Sequence, residues 1–243
     1  MQVRRPHPSR RAGWPTVARP RLPRALQPAV AGEHDVEHEA VLARLDVQRL
    51  DLSARSAELV QVRQCRFTGA DLSGSHLERA AFTDCVFDAA NLANLRLEGP
   101  TLLRVAMAAQ RMTGFQATVG TLRDVTIRDS RLDLSSFRFS AFHRVLFADC
   151  NLTRADFQAA DLRTAAFLRC DLSGTQFSQA RMAGTRLADC ALDGVGGVAS
   201  FDGAIIRTVD LMSLTRALAT ALGITIEDPT VEDADPEDPA EPA

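Results

Sequence analysis

A five-residue repeat runs through most of the chain. Large apolar residues recur at every fifth position from Val47 to Leu192, and the 30 central positions of this series hold 13 Leu, 9 Phe, 3 Met, 2 Val, 1 Ile and 2 Ala, the alanines being Ala57 and Ala117. Hydrophobic residues make up only 46% of the whole chain. The concentration of apolar residues at one phase therefore marks the inward-facing position of a repeating unit.

A period of five fits neither the 3.6 residues of an α-helical turn nor the two-residue alternation of a half-buried strand. It predicts a chain that turns a corner after every fifth residue. Each side is then one pentapeptide, and four sides complete one coil of 20 residues. A check at that spacing agrees, because the eight central positions that lie 20 apart from Leu52 to Leu192 hold seven Leu and one Met.

The residue two places before each centre forms a second inward position and is small at most steps. Where it becomes Phe115, the centre shrinks to Ala117, which conserves interior volume. All the cysteines fall on this position, and we interpret them as small buried fillers rather than as a metal or redox site. They are Cys65, Cys85, Cys150, Cys170 and Cys190.

Short motifs of the form Ala-(Asp/Asn)-(Leu/Phe) carry a family resemblance. They are Ala70-Asp71-Leu72, Ala90-Asn91-Leu92, Ala155-Asp156-Phe157 and Ala160-Asp161-Leu162. The pattern resembles the pentapeptide-repeat family over residues 45–194. The resemblance implies an all-β fold, a right-handed quadrilateral parallel β-helix, which would have about 7.5 coils here at four pentapeptides a coil.

Composition divides the remainder of the chain. Residues 1–32 carry seven Arg and no acid up to residue 30, are rich in Pro, and are predicted to be disordered. Residues 33–44 are predicted to form a linker or N-terminal cap. Residues 195–226 are predicted to hold a final partial coil and a capping helix, and the acidic residues 227–243 a disordered tail.

Leucines in the C-terminal segment repeat with helical spacing. Leu211, Leu214, Leu218 and Leu222 share one face of a short α-helix that is predicted to cover the last coil. In the quinolone-resistance branch of the family such a helix pairs two rods, so the resemblance implies a homodimer through this helix. A cap on a monomer is the alternative that the residues leave open.

Motifs for catalysis are absent or poorly placed. The sequence has no nucleophile elbow, phosphate-binding loop or dinucleotide fingerprint. The segment His34-Asp35-Val36-Glu37-His38 matches a metalloprotease pattern, but its flanks are polar, and we interpret it as a chance match. A prism filled by side chains leaves no substrate pocket. We therefore expect no enzymatic activity, cofactor or metal.

Two sequence features bear on compartment. No apolar run approaches the roughly 18 residues of a membrane helix, and the basic N-terminus lacks the apolar stretch of a secretory signal. Together with cysteines read as reduced thiols, these features predict a cytoplasmic protein without membrane contact.

Acidic residues on the outer surface raise the question of DNA mimicry. Family members that protect DNA gyrase from quinolones resemble B-DNA in width and negative charge. Asp129, Asp149 and Asp189 share an outward column here, with Asp124 and Asp133 nearby. Residues 45–194 nevertheless hold 17 acids against 18 Arg, whereas a B-DNA rod of about 36 Å would carry on the order of 20 negative charges. The overall charge disfavours the mimic.

A second surface feature is apolar. Leu134 and Phe139 occupy outward positions on successive sides, with Arg138 between them, a combination typical of protein contacts. Cover by the N-terminal segment is an equally open explanation. Direct nucleic-acid binding through the Arg-rich residues 1–24 is disfavoured, because Pro-rich disordered arms commonly bind nothing. The sequence favours a scaffold or protein-interaction module with an unidentified partner, and the alternative is a DNA-mimicking modulator of DNA gyrase.

Overall fold

The computed structural model describes residues 13–226, in which short strands wind around a four-sided prism. The strands β1 to β16 are, in chain order, Gln27–Pro28, Val41–Ala43, Leu45–Gln48, Ser56–Glu58, Gln61–Arg63, Arg66–Thr68, His76–Glu78, Ala81–Asp88, Arg96–Glu98, Thr101–Ala108, Gln116–Thr118, Thr121–Arg128, Ala141–Ala148, Ala165–Leu168, Arg186–Ala188 and Ile205–Ile206. A 3-10 turn at Val198–Phe201 and a helix α1 at Thr208–Ala221 follow the last coils.

Parallel pairing between each pentapeptide and the fourth one after it defines the four sides. Strand β10 pairs with β8 before it and β12 after it, and Val105 is opposite Cys85 and Val125. Where strands are shorter, single bridges such as Asp51 with Asp71 continue the same register. The predicted fold class, a quadrilateral parallel β-helix, is confirmed.

The core consists of the repeat centres stacked coil upon coil. Every centre from Val47 to Leu192 is at most 4% exposed, including the exchanged Ala117. Phenylalanines one coil apart lie face to face, with ring centroids 5.1 Å apart for Phe137 and Phe157 and 5.0 Å for Phe147 and Phe167. The stacking distance is close to the spacing of paired strands, so the backbone ladder and the aromatic columns reinforce each other.

The small residues two places before the centres also bind the coils together. The Ser75 hydroxyl donates to the carbonyl of Leu52 at 3.0 Å and accepts the N–H of Arg55 at 3.0 Å. Thr175 donates in the same way to the carbonyl of Leu152 at 2.9 Å. A small hydroxyl or thiol at this position can donate to a buried carbonyl of the preceding coil. The position therefore favours Ser, Thr and Cys as well as Ala.

The Asp or Asn of the sequence motif has its own local role. Asp71 accepts the backbone N–H of Ser73 at 2.8 Å, and Asn151 accepts that of Thr153 at 2.9 Å. A short carboxylate or amide side chain is the group that satisfies an N–H two residues ahead in a tight turn. The motif therefore encodes a turn as well as an inward leucine.

Both ends of the prism extend past the repeat that the sequence marks out. At the start, β2 pairs with β5, which places Leu42 in phase one pentapeptide before residue 47. At the end, β16 pairs with β15 at an offset of 19, with Ile206 opposite Leu187, so one residue is lost from the period. Phe201 fills the gap by packing edge-on against Phe177 at 5.4 Å.

The N-terminal segment differs from the disorder expected for residues 1–32. From Trp14 to Pro28 it lies along the prism, and β1 pairs in parallel with the first residues of β3. Long-range contacts order this segment, a feature that its Pro- and Arg-rich composition does not reveal. The predictions for residues 1–12 and for the acidic tail 227–243 lie outside the described residues.

Candidate interaction surfaces

Between residues 39 and 194, each corner of the prism except the one at Thr164 is turned by one residue with left-handed backbone. Between Glu39 and Asp189, 24 non-glycine residues have φ between 50° and 61°, and all occupy the second position after a centre. Such a φ is uncommon outside glycine, and for a β-branched residue it is an outlier. Side chains on these corners point outward, so the corners set which residues a partner meets.

The predicted apolar surface lies on two corners of one coil. Leu134 and Phe139 both have φ of 59° and are 54% and 55% exposed. The Arg138 guanidinium carbon lies 5.5 Å from the centre of the Phe139 ring, within cation–π range. The described N-terminal residues lie along a different corner, the one that contains Asp84 and Asp124. They therefore do not cover Leu134 and Phe139.

Val119 belongs to the same surface, although it was not identified from the sequence. It occupies the corner position one coil before Phe139, is 62% exposed, and donates its N–H to the carbonyl of Arg138 at 3.0 Å. The spacing of one full coil between positions 119 and 139 was the signal that would have found it. We refer to Val119, Leu134, Arg138 and Phe139 as the corner patch.

Arginines pair with most of the acidic residues singled out above. Asp124 is almost fully buried and forms a two-point ion pair with Arg144, at 2.7 and 2.6 Å. The Arg144 guanidinium lowers the pKa of that carboxyl. Asp149 pairs with Arg169 at 2.6 Å in the same geometry.

The remaining acids do not complete a negative surface. Asp189 pairs with Arg207 at 2.6 Å, and Asp133 accepts the Thr113 hydroxyl at 2.9 Å. Asp129 shares the corner column of Asp149 and Asp189, whereas Asp124 and Asp133 lie elsewhere. An Asp followed by an Arg 20 residues later was the sequence signal for two of these ion pairs, Asp124 with Arg144 and Asp149 with Arg169.

The C-terminal helix divides the predicted leucine face. Leu214 is buried against the end of the prism, whereas Leu211, Leu218 and Leu222 are exposed. The buried Asp210 carboxylate accepts the backbone N–H groups of Asp189 at 2.8 Å and Cys190 at 3.2 Å. The helix thus satisfies strand-edge donors that the next coil would otherwise have taken.

The cysteines are buried and free, and four of the thiols donate to a carbonyl of the preceding coil. The Cys85 sulfur lies 3.5 Å from the carbonyl oxygen of Val62, and burial raises its pKa to about 12. A thiol held in that form is a poor nucleophile and a poor metal ligand.

Two groups of histidines and carboxylates remain. Residues 34–38 are not helical, and Asp35 instead accepts the Arg55 guanidinium at 2.8 Å while Val36 enters the core. His76 lies 4.0 Å from the carboxylates of Glu78 and Glu98 on the surface. Outward alternation along the chain brings these three side chains together on the same side of the prism.

Comparison with known proteins gives the following relationships. A family model described as pentapeptide repeats matches residues 65–99, and one described as a pentapeptide repeat region matches residues 140–215. The search of curated proteins found no match. Within residues 13–226, no helix is long and apolar enough to cross a membrane.

Solved structures show weak overall similarity. A trypsin-treated variant of QnrB1, described as a plasmid-mediated fluoroquinolone resistance protein, is 17% identical with a TM-score of 0.36, over 84% of this chain and 100% of that chain. The pentapeptide repeat protein Rfr23 from the cyanobacterium Cyanothece 51142 is 12% identical with a TM-score of 0.22, over 66% of this chain and 90% of its own. At these scores neither similarity carries an argument about function or assembly.

Proposed function

The chain belongs to the pentapeptide-repeat family, and we propose that it is a non-catalytic scaffold that binds a protein partner through the corner patch. The prism interior is filled by the repeat centres, so binding takes place on the outer surface. The partner that the corner patch fits is another protein with a small apolar depression and an acidic rim, because the patch presents two aliphatic groups and one aromatic ring beside a guanidinium.

One observation carries this proposal. Large apolar side chains lie on left-handed corners, where more than half of each side chain is exposed and where glycine would suit the backbone better. Phe139 and Val119 are more than half exposed and lie on consecutive coils of one corner. Exposed apolar residues in a backbone conformation that they do not favour point to a role outside the fold.

The test uses glycine substitutions, which remove the side chain while suiting the corner. Tagged Phe139→Gly, Leu134→Gly and parent protein are incubated with native extract, and bound proteins are quantified by mass spectrometry. Gln179→Gly is the matched control, because Gln179 has φ of 61° and lies two coils beyond Phe139 on the same corner. A partner retained by the control and reduced at least tenfold by Phe139→Gly is expected. If no bound protein depends on the corner patch, the proposal is refuted.

We also propose that α1 joins two copies of the chain. A terminal cap normally presents a polar outer face, whereas Met212 on this helix and Leu222 directly after it are 78% and 75% exposed. Multi-angle light scattering should give a dimer for the parent and a monomer for a Met212→Gln/Leu222→Gln variant. Both side chains are exposed, so the variant keeps the fold. A parent that stays monomeric at about 100 μM would refute the dimer.

Modulation of DNA gyrase by mimicry of DNA stays a second hypothesis. It would need a net negative surface, and residues 45–194 hold 17 acids against 18 Arg, with several acids in ion pairs. A supercoiling assay with purified gyrase tests it directly. Inhibition at about micromolar protein would support it, and unchanged supercoiling would eliminate it.

A further inference from the structure

The N-terminal segment contacts the prism along nearly its whole length. We call residues 13–28 the strap. Gly13 lies against the Arg186 guanidinium near the C-terminal end of the prism, and Gln27 pairs with Leu45 at the other end. The strap therefore runs against the direction in which the coils advance and follows one corner. We call this corner, which contains Gln64, Asp84, Arg104, Asp124 and Arg144, the strap corner.

Carboxylates on the strap corner bind the backbone of the strap. Asp124 accepts the N–H of Ala18 at 3.2 Å, and Asp84 accepts the N–H of Arg21 at 3.0 Å. The two carboxylates are two coils apart, about 9.6 Å at the usual strand spacing, and three residues of extended chain span about 10 Å. The spacing of these two carboxylates therefore matches the spacing of the two backbone N–H groups, Ala18 and Arg21, that they accept.

These carboxylates are held in place by the prism itself. Asp84 receives two hydrogen bonds of 2.6 Å from Arg104, and Asp124 is held in the same way by Arg144. The acceptors are therefore fixed independently of the strap, and the corner is preorganised for a peptide N–H. Gln64 adds a contact by donating its amide to the carbonyl of Arg21 at 3.1 Å.

Side chains of the strap supply the apolar part of the contact. Trp14 and Val17 pack on an apolar strip formed on the outside of β13, β14 and β15 by Leu146, Ala148, Ala166, Leu168 and Ala188. Outward positions on the side of a prism are normally polar. A continuous apolar strip there therefore indicates a binding surface. Beside it, a groove of about 640 Å³ opens between Val17–Pro20 and the outer face of β8, β10 and β12.

We propose that the strap corner and its apolar strip form a docking groove for an extended peptide, which the chain's own strap occupies in cis. The partner that fits is an extended, proline-containing segment with an aromatic and an aliphatic residue three apart, as Trp14 and Val17 are in the strap. This groove is a second surface, separate from the corner patch, and does not depend on it.

The test releases the strap from the folded full chain. A protease site replaces the exposed turn around Gly32, and the folded protein is cut there. A labelled peptide of residues 13–28 is then added and its fluorescence anisotropy followed. We expect saturable binding to the cut protein and binding at least tenfold weaker to the uncut protein, in which the tethered strap competes at a high effective concentration.

Modified peptides identify the contacts. Trp14→Ala, and a peptide N-methylated at Ala18 so that it cannot donate to Asp124, should each bind at least tenfold more weakly. Thr16→Ala is the control, because Thr16 is exposed, and it should bind as the parent peptide does. Equal affinity of all four peptides would overturn the proposal. Loss of the β circular dichroism on cutting, or a cut strap that never exchanges, would show a purely structural segment and would also overturn it.

Discussion

The corners of the prism give a direct test of the backbone geometry, because consecutive coils place different residues in the same left-handed turn. Gly99 and Val119 have φ of 60° and 56° on one corner. A Cβ added to Gly99 would meet no atom closer than the Arg79 Cγ at 3.8 Å, so space does not oppose substitution there. The effect of Gly99→Ala therefore reports the backbone alone.

The expected magnitudes follow from two opposing terms. Left-handed backbone costs an L-residue roughly 1–2 kcal/mol, while glycine loses roughly 0.5–1 kcal/mol more than alanine when it is ordered. Val119→Gly should therefore raise the free energy of unfolding by about 0.5–1 kcal/mol, since the exposed valine side chain contributes little packing. Gly99→Ala should lower it by a similar amount.

Urea unfolding followed by far-UV circular dichroism measures both changes. Thr118→Gly is the matched control, because Thr118 lies in β11 immediately before the corner and outside the left-handed region. It should destabilise the protein by about 0.5–1 kcal/mol. If Val119→Gly destabilised the protein as much as Thr118→Gly does, the explanation of the corners would be refuted.

Acidification should destabilise the prism through Asp84 and Asp124, whose carboxyl pKa values are lowered by Arg104 and Arg144. This stabilisation is complete above about pH 4 and is lost as the pH falls through the lowered values, so the urea midpoint of an Asp84→Asn/Asp124→Asn variant should fall less between about pH 6 and pH 3. Cys85 and the other thiols should react with Ellman's reagent only as the protein unfolds, and rapid labelling of folded protein would contradict their burial. Asp210→Ala should cost about 2–4 kcal/mol in the same urea assay by stranding two backbone donors, and unchanged amide exchange there would contradict its capping role.

Most of the fold was predictable because its determinants are local and repeated. The phase of the centres from Val47 to Leu192 fixed the coil length and the whole central core, including the exchange between Phe115 and Ala117. The period alone could not fix the ends, where the last coil drops one residue and Phe201 fills the space.

The surfaces were less predictable because they depend on pairs of residues far apart in sequence. The strap composition resembles that of a disordered arm, and its order depends on Asp84 and Asp124, which lie 63 and 106 residues from their partners. The apolar corner residues were visible as outward positions. Their left-handed backbone could not be predicted from residue type, because residues such as Leu134 do not favour that conformation.

The four equal sides have a consequence for how such a chain changes in length. Inserting or deleting one pentapeptide would keep every leucine and phenylalanine inside, but everything downstream would rotate by a quarter turn relative to what precedes it. Only a change of four pentapeptides would restore the original alignment of outward positions. The interior therefore tolerates a change of five residues, whereas the outer surface keeps its alignment only after a change of twenty. A pentapeptide inserted between Asp84 and Asp124 would leave the core intact and still move these two carboxylates onto different corners, away from the strap.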